Sequence, residues 1–417
     1  MPKWLFLLGQ ISRQLWLRVA IYSALGVLTA LLAVLLAPWV PEDFALSVGT
    51  RAVDDVLTIL ASSMLTVATF SLAVFVTAYT SISGAASPRA AALLVSDGRG
   101  HGALATFVGA FIFAIVGLFA LQTGYYGEQG RVIVFVFTVG VLAAVLIALL
   151  HWIDQLSRLG RLDEAIDRVA EATRAAFDSP LAARRSATPR PENGPALPLS
   201  AGVVGYVRNI DLERLESLAD ELGVVVDVEA LPGDFIHEAR PLLRFAGRPG
   251  LDTEAGGRLR SCWVIGARRT FEQDPRFGMT VLGEIAARAL SPAINDPGSA
   301  LDVIATAVGL LTKWVGTESP VEPAEGSRLR LPPLSAQEVL EDVFGPIAQY
   351  GAGSPRVAMR LQEALGALAA LGDPEMATAA HLHSRLARKR ALAALPLKED
   401  RERVRRAGRL SRSRLWE

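Results

Sequence analysis

A single cysteine, Cys262, occurs in 417 residues. That excludes an intramolecular disulfide and any metal cluster built from several thiolates. Charge is scarce as well. Asp, Glu, Lys and Arg make up 20% of the chain, against about 25% in ordinary soluble domains. The 42 basic and 42 acidic residues cancel, which rules out a uniformly basic nucleic-acid binder. No Gly-x-Ser-x-Gly, P-loop or His-Glu-x-x-His pattern occurs, so no motif announces an enzyme. His381 and His383 are two residues apart and do not share a helix face. Neither a metal nor a cofactor is implied, and the expectation is a protein without catalytic residues.

What is abundant is apolar surface. Hydrophobic residues make up 51% of the chain. Four stretches reach the roughly 20 apolar residues a bilayer crossing needs: about 17–37, 56–81, 103–123 and 132–151. None of their interiors contains Asp, Glu, Lys or Arg. The first is too long for a typical signal-peptide core and is read as a retained anchor. Trp4, Phe6, Trp16, Trp39, Tyr125, Tyr126 and Trp152 flank the stretches, as interfacial anchors do.

Loop charges give an orientation. Lys3 and Arg13 precede the first span and Arg18 stands at its very start. Glu42, Asp43, Asp54 and Asp55 against Arg51 follow it. Arg89 and Arg99 against Asp97 follow the second span, and Arg158, Arg161 and Arg168 follow the fourth. The positive-inside rule then puts both termini in the cytoplasm, and the expected address is a bacterial inner membrane.

The second span differs from the others. Thr58, Ser62, Thr66, Thr69, Ala73, Thr77 and Thr80 recur at gaps of three and four, so they share one helix face. Such a stripe either lets helices approach closely or lines a water-filled path in an oligomer. Coupled pumps place carboxylates, His or Arg within the membrane, and none lies deep inside these spans. A passive pore in a homo-oligomer is the leading expectation, with Thr58, Ser62, Thr66, Thr69, Thr77 and Thr80 as candidate lining residues.

Beyond the spans the pattern turns charged. Residues 1–155 form the membrane domain. Residues 156–199 hold an amphipathic helix and a Pro-rich linker. Residues 200–267 read as a small β module similar to half of a biotinyl or lipoyl carrier, a barrel-sandwich hybrid. No lysine lies between Lys3 and Lys313, so no carrier lysine is available there. Residues 268–395 read as a helical bundle whose starts are marked by Asp274-Pro275, Asp296-Pro297 and Asp373-Pro374, with Asp at the N-cap and Pro at the first helical position. The fold class is thus a four-span helical membrane domain followed by a cytoplasmic α+β region.

Residues 396–417 form a basic tail, a candidate contact for anionic lipid. No recognition motif for nucleic acid accompanies it. The densest polar stretch offers Arg268, Arg269, Glu272, Asp274, Asn295 and Asp296 as a candidate ligand site. The same residues could serve only as caps and ion pairs. They motivate a second reading, a non-conducting membrane-anchored sensor or scaffold. A third, a membrane-bound enzyme using the acidic pair, has less behind it.

Four motifs resemble those of a bacterial family known only as predicted membrane proteins with a domain of unknown function. They are Ser87-Pro-Arg89, Gly205-Tyr-Val-Arg-Asn-Ile-Asp211, Pro232-Gly-Asp-Phe235, and Glu272-Gln-Asp-Pro-Arg-Phe-Gly278 with Arg288-Ala-Leu-Ser-Pro-Ala-Ile-Asn-Asp-Pro297. The resemblance extends from about residue 10 to residue 395. It implies a topology and an inner-membrane location, but no activity, substrate or catalytic residue.

Overall fold

The computed structural model describes residues 50–96, 99–122, 128–158, 161–185, 197–247, 250–316 and 327–413, with a few helical positions between 20 and 32. Most of the first expected span lies outside the described residues. The chain divides into two compact units, one of Leu8–Ser81 with Ala92–Arg161, the other including Ile82–Ala91 and Leu162–Glu417.

The first unit is built on three long helices: α1 (Thr50–Ala85), α3 (Arg99–Gln122) and α4 (Glu128–Arg158). They take up the second, third and fourth expected spans. At about 1.5 Å per residue, the 36 residues of α1 reach roughly 54 Å. A bilayer core is about 30 Å thick, so α1 projects beyond it. Leu57, Leu60, Ala61, Met64 and Ala68 of α1 pack with Leu104, Phe107, Phe113, Val134 and Trp152 in one apolar core. The opposite side of α1 leaves Ile59, Leu65, Phe70, Leu72 and Val76 exposed, as lipid-facing or partner-facing residues must be.

Ile82–Ala91 belongs to the second unit. It holds the end of α1 and the start of α2 (Pro88–Ser96). Ser87 caps α2 by accepting from the Ala90 N–H at 3.1 Å, Pro88 takes the first helical position, and Arg89 pairs with Glu284. Ala86 and Ala90 are fully buried.

The β part contains β1 (Leu197–Ser200), β2 (Gly205–Ile210), α7 (Leu212–Leu222), β3 (Val225–Val228), β4 (Phe235–Ile236), β5 (Pro241–Ala246), α8 (Thr253–Arg260) and β6 (Trp263–Gly266). It follows α5 (Leu162–Phe177) and the short α6 (Pro180–Arg185). One sheet has the order β4-β2-β6. The other runs β1-β5-β3 and then β7 (Leu329–Arg330). Val207, Ile210, Leu215, Val226, Leu242, Leu259 and Trp263 fill the space they share. The Trp263 indole donates to the Ala230 carbonyl at 3.0 Å, so its polar edge is satisfied.

Two features depart from expectation here. α8 is a helix within the expected β module, and β7 falls within the stretch expected to be a helical bundle. β7 pairs parallel to β3, Val226 against Leu329. A parallel partner needs a long crossover, so the β module is not continuous in sequence.

The remaining helices are α9 (Pro275–Ala289), α10 (Pro297–Gly316), α11 (Ala336–Tyr350), α12 (Pro355–Ala369), α13 (Pro374–Ala394) and α14 (Lys398–Ser413). Among the described residues, α10 is a fourth helix, after α1, α3 and α4, long and apolar enough to cross a membrane. It carries Asp302 and Lys313, and its Ala300, Val303, Ile304, Ala307, Leu310 and Leu311 are buried. It packs against α5, α9 and α12, with Trp314 stacked on Phe177 at 5.2 Å.

Helix α9 is the hub, in contact with α5, α10 and α11. Two glycines permit this. A Cβ on Gly278 would fall 1.9 Å from the Thr173 hydroxyl of α5, and one on Gly283 would fall 2.6 Å from the Asp342 carbonyl of α11. Backbone cannot step aside as a side-chain tip can. Gly283→Ala is therefore expected to destabilise the unit by about 1–3 kcal/mol, the usual cost of overpacking. Gly257→Ala, where nothing lies within 4 Å, should be neutral or slightly stabilising. Thermal melting of the purified variants checks the contrast.

Candidate functional site

The hydroxyl stripe and the polar cluster have different fates. Thr58, Ser62, Thr66, Thr69, Thr77 and Thr80 are all exposed, on the side of α1 away from its own core. Each hydroxyl donates back to a carbonyl three or four residues earlier. Examples are Thr58 to Asp54 at 2.8 Å, Ser62 to Thr58 at 3.0 Å and Thr66 to Ser62 at 3.0 Å. Thr69 donates to Leu65 at 3.0 Å, Thr77 to Ala73 at 3.0 Å and Thr80 to Thr77 at 2.8 Å. Such back-bonding satisfies the donors locally and leaves each oxygen's lone pairs directed outward. The face is small and weakly polar, and it needs no partner to be tolerated in an apolar medium.

The six residues of the polar cluster do not form one site. Arg269 and Asp274 meet in a two-pronged pair, Nε to Oδ2 at 2.8 Å and Nη2 to Oδ1 at 3.0 Å. Asp274 also caps α9, accepting from the Phe277 N–H at 3.0 Å. The Arg269 guanidinium lies over the Phe277 ring, 5.0 Å from its centroid. Burial pushes the Asp274 carboxyl above its ordinary value, while Arg269 and the Phe277 N–H pull against it. Arg268 and Glu272 are exposed.

Asn295 and Asp296 lie just past the other end of α9, a helix about 22 Å long. Asp296 caps α10 through the Ser299 N–H at 3.2 Å and accepts from the Ser299 hydroxyl at 2.5 Å. These bonds hold its carboxyl below the ordinary value. Asn295 has φ of 51°, the left-handed region that Asn enters more readily than most residues.

Three residues absent from the expected cluster complete the junction. The Gln273 side chain is buried and meets both backbone groups of Ile210. It accepts from the N–H at 2.8 Å and donates to the carbonyl at 3.3 Å, so it ends β2 as a neighbouring strand would. Gly233, at φ of 94°, sits so close to Asp274 that a Cβ there would fall 2.2 Å from Oδ2. Arg276 reaches across to Asp342 at 2.7 Å and Glu338 at 2.7 Å. The turn of Gly233 and the start of α9 thus meet at one buried carboxylate, and the end of β2 is held by the neighbouring Gln273. The sequence signal for that convergence was the motif set itself, which bounds these elements but does not say that they touch.

These features define an integral membrane protein with long apolar helices and an α+β unit. Residues 12–367 match the DUF2254 family, described as predicted membrane protein, and the chain belongs to that family. It is similar to the uncharacterized proteins Rv1290c of Mycobacterium tuberculosis and Mb1321c of Mycobacterium bovis. Each is 29% identical over 283 residues, covering 64% of this chain and 54% of the relative. The chain thus spans about half the length of the curated relatives it matches. No solved structure matches.

Asp274→Ala should lower stability by about 3 kcal/mol, since it strands the Arg269 charge beside a buried cap. Arg268→Ala should stay within about 0.5 kcal/mol. Thermal melting followed through Trp fluorescence distinguishes them. Asp296 gives a pH signature. Its depressed pKa means its contribution is present above the unfolded value of about 3.9 and fades as pH falls toward the folded value. The melting difference between wild type and Asp296→Ala should therefore shrink on acidification below about pH 4.

Proposed function

We propose that this protein is a self-associating inner-membrane protein in which the hydroxyl face of α1 lines a passive path for ions or small solutes. One observation carries the reading. The chain packs one side of α1 into its own core through Leu57, Leu60, Ala61 and Met64, and the stripe occupies the opposite, exposed side. A monomer leaves that face to lipid, whereas a ring of copies turns it inward, where hydroxyl oxygens replace part of a solute's hydration. The absence of Asp, Glu, Lys, Arg and His from residues 56–85, 102–122 and 132–150 suits a path without charge coupling.

The orientation has support besides loop charges. Two crossings, α3 and α4, lie between Ala91 and Leu162. An even number returns the chain to its starting side, so Ile82–Ala91 and the α+β unit share a side, in keeping with their membership of one unit. The loop charges make that side cytoplasmic. The sensor reading has less behind it, because Arg269, Asp274 and Asp296 are engaged in local pairs and caps.

Native mass spectrometry of the detergent-purified protein should show a closed oligomer, and a monomer would sink the proposal. In a Cys262→Ser background, cysteines at Ser62, Thr66 and Thr69 should react with charged thiol reagents and lower conductance in planar bilayers. Cysteines at Leu60 and Met64, 4% and 8% exposed, should stay unreactive.

A further inference from the structure

We propose that the exposed basic surface shared by α13 and α14 docks on the anionic headgroups of the bilayer that holds the spans. This goes beyond the pore reading and does not depend on it. Residues 381–417 carry twelve Lys and Arg against four acids, so in a chain of zero net charge the rest is left with an equal negative excess. Part of that imbalance is exposed on two adjoining helices, of which α14 also exposes Glu399 and Glu402. Val404 and Ala407 of α14 are buried, and α14 packs on α12 and α13.

With its apolar side occupied, α14 presents Arg403, Arg405 and Arg406 outward, and α13 presents Arg385, Lys389 and Arg390. Arg388 of α13 reaches the backbone of α14, 3.6 Å from where a Cβ on Gly408 would lie, so the two sets adjoin. Arg403 has Asp400 at 3.5 Å. Among the described residues no carboxylate pairs with Arg385, Lys389, Arg390, Arg405 or Arg406.

Two exposed leucines, Leu386 and Leu397, 39% and 59% exposed, interleave with the cations. Apolar tips among cations fit a headgroup interface, where the basic groups meet phosphates and the leucines leave water. α14 acts as a docked surface and not as an inserted helix, because Val404 and Ala407 are already committed. Nucleic acid is the competing polyanion. The spans tether this surface to a bilayer and so give the lipid a high effective concentration.

The test uses the full chain in nanodiscs, with Cys262→Ser and a fluorophore on Ala394→Cys, an exposed position at the end of α13. A quencher is carried on a neutral lipid headgroup. Phosphatidylcholine discs should give little quenching. Adding phosphatidylglycerol should raise it at least about twofold, and about 1 M salt, where the Debye length falls to about 3 Å, should reverse the rise. Arg385→Glu/Lys389→Glu/Arg405→Glu/Arg406→Glu should abolish the effect. If that variant does not fold, the lipid and salt comparison on the wild-type surface decides alone. Equal quenching in both discs, a rise that salt does not reverse, or its removal by short duplex DNA at about 0.15 M salt would overturn the proposal, the last in favour of nucleic acid.

Discussion

The α+β unit rests on one buried carboxylate. Asp274 is 2% exposed, and a bare charge at that depth would be costly. It is held by the Arg269 fork, by the first turn of α9 and by the glycine turn at Gly233, where no side chain fits. Remove the charge and the fork is stranded; fill the turn and the carboxylate is displaced. The sheet of β2, the turn before β4 and the hub helix α9 are therefore located by a single set of polar contacts. The glycines then admit close neighbours, Gly278 the Thr173 side chain of α5 and Gly283 the backbone of α11. Polar satisfaction sets the position, and close packing adds the rigidity.

Much of this was legible in the sequence. Period-3.6 apolarity and the Asp-Pro starts located α9, α10 and α13 to within a few residues, because capping is local chemistry. Apolar runs of bilayer length located α1, α3 and α4. The short elements were not legible. β7 has two residues, and its pairing depends on a partner far away in sequence. α8 is eight residues long and holds two glycines, so its periodicity is faint. The candidate polar cluster was half legible. Adjacent residues suggested adjacency in space, but α9 separates Asp274 from Asn295 and Asp296. Gln273 lies within a quoted motif, but nothing in that motif says that its amide pairs with the backbone of Ile210 and acts as a substitute strand.

Ser87-Pro-Arg89 shows the same contrast at the start of α2. Its cap and first-turn proline follow from local rules. Its ion pair with Glu284 does not, since nearly two hundred residues separate the partners. Glu284 lies on α9 between the Asp274 clamp and the Asp296 cap.

The parallel pairing of β3 with β7 bears on the order of assembly. Val226 waits for Leu329, about a hundred residues further along the chain, and α9 and α10 are made in between. During synthesis the four-stranded sheet has an open edge at β3 until those helices have emerged. Contacts between distant segments form slowly because the loop entropy comes first. An edge left unpaired invites wrong partners. The strongly helical, Asp-Pro-capped segments between the two strands shorten that interval, because each can form locally and carry β7 back to its place.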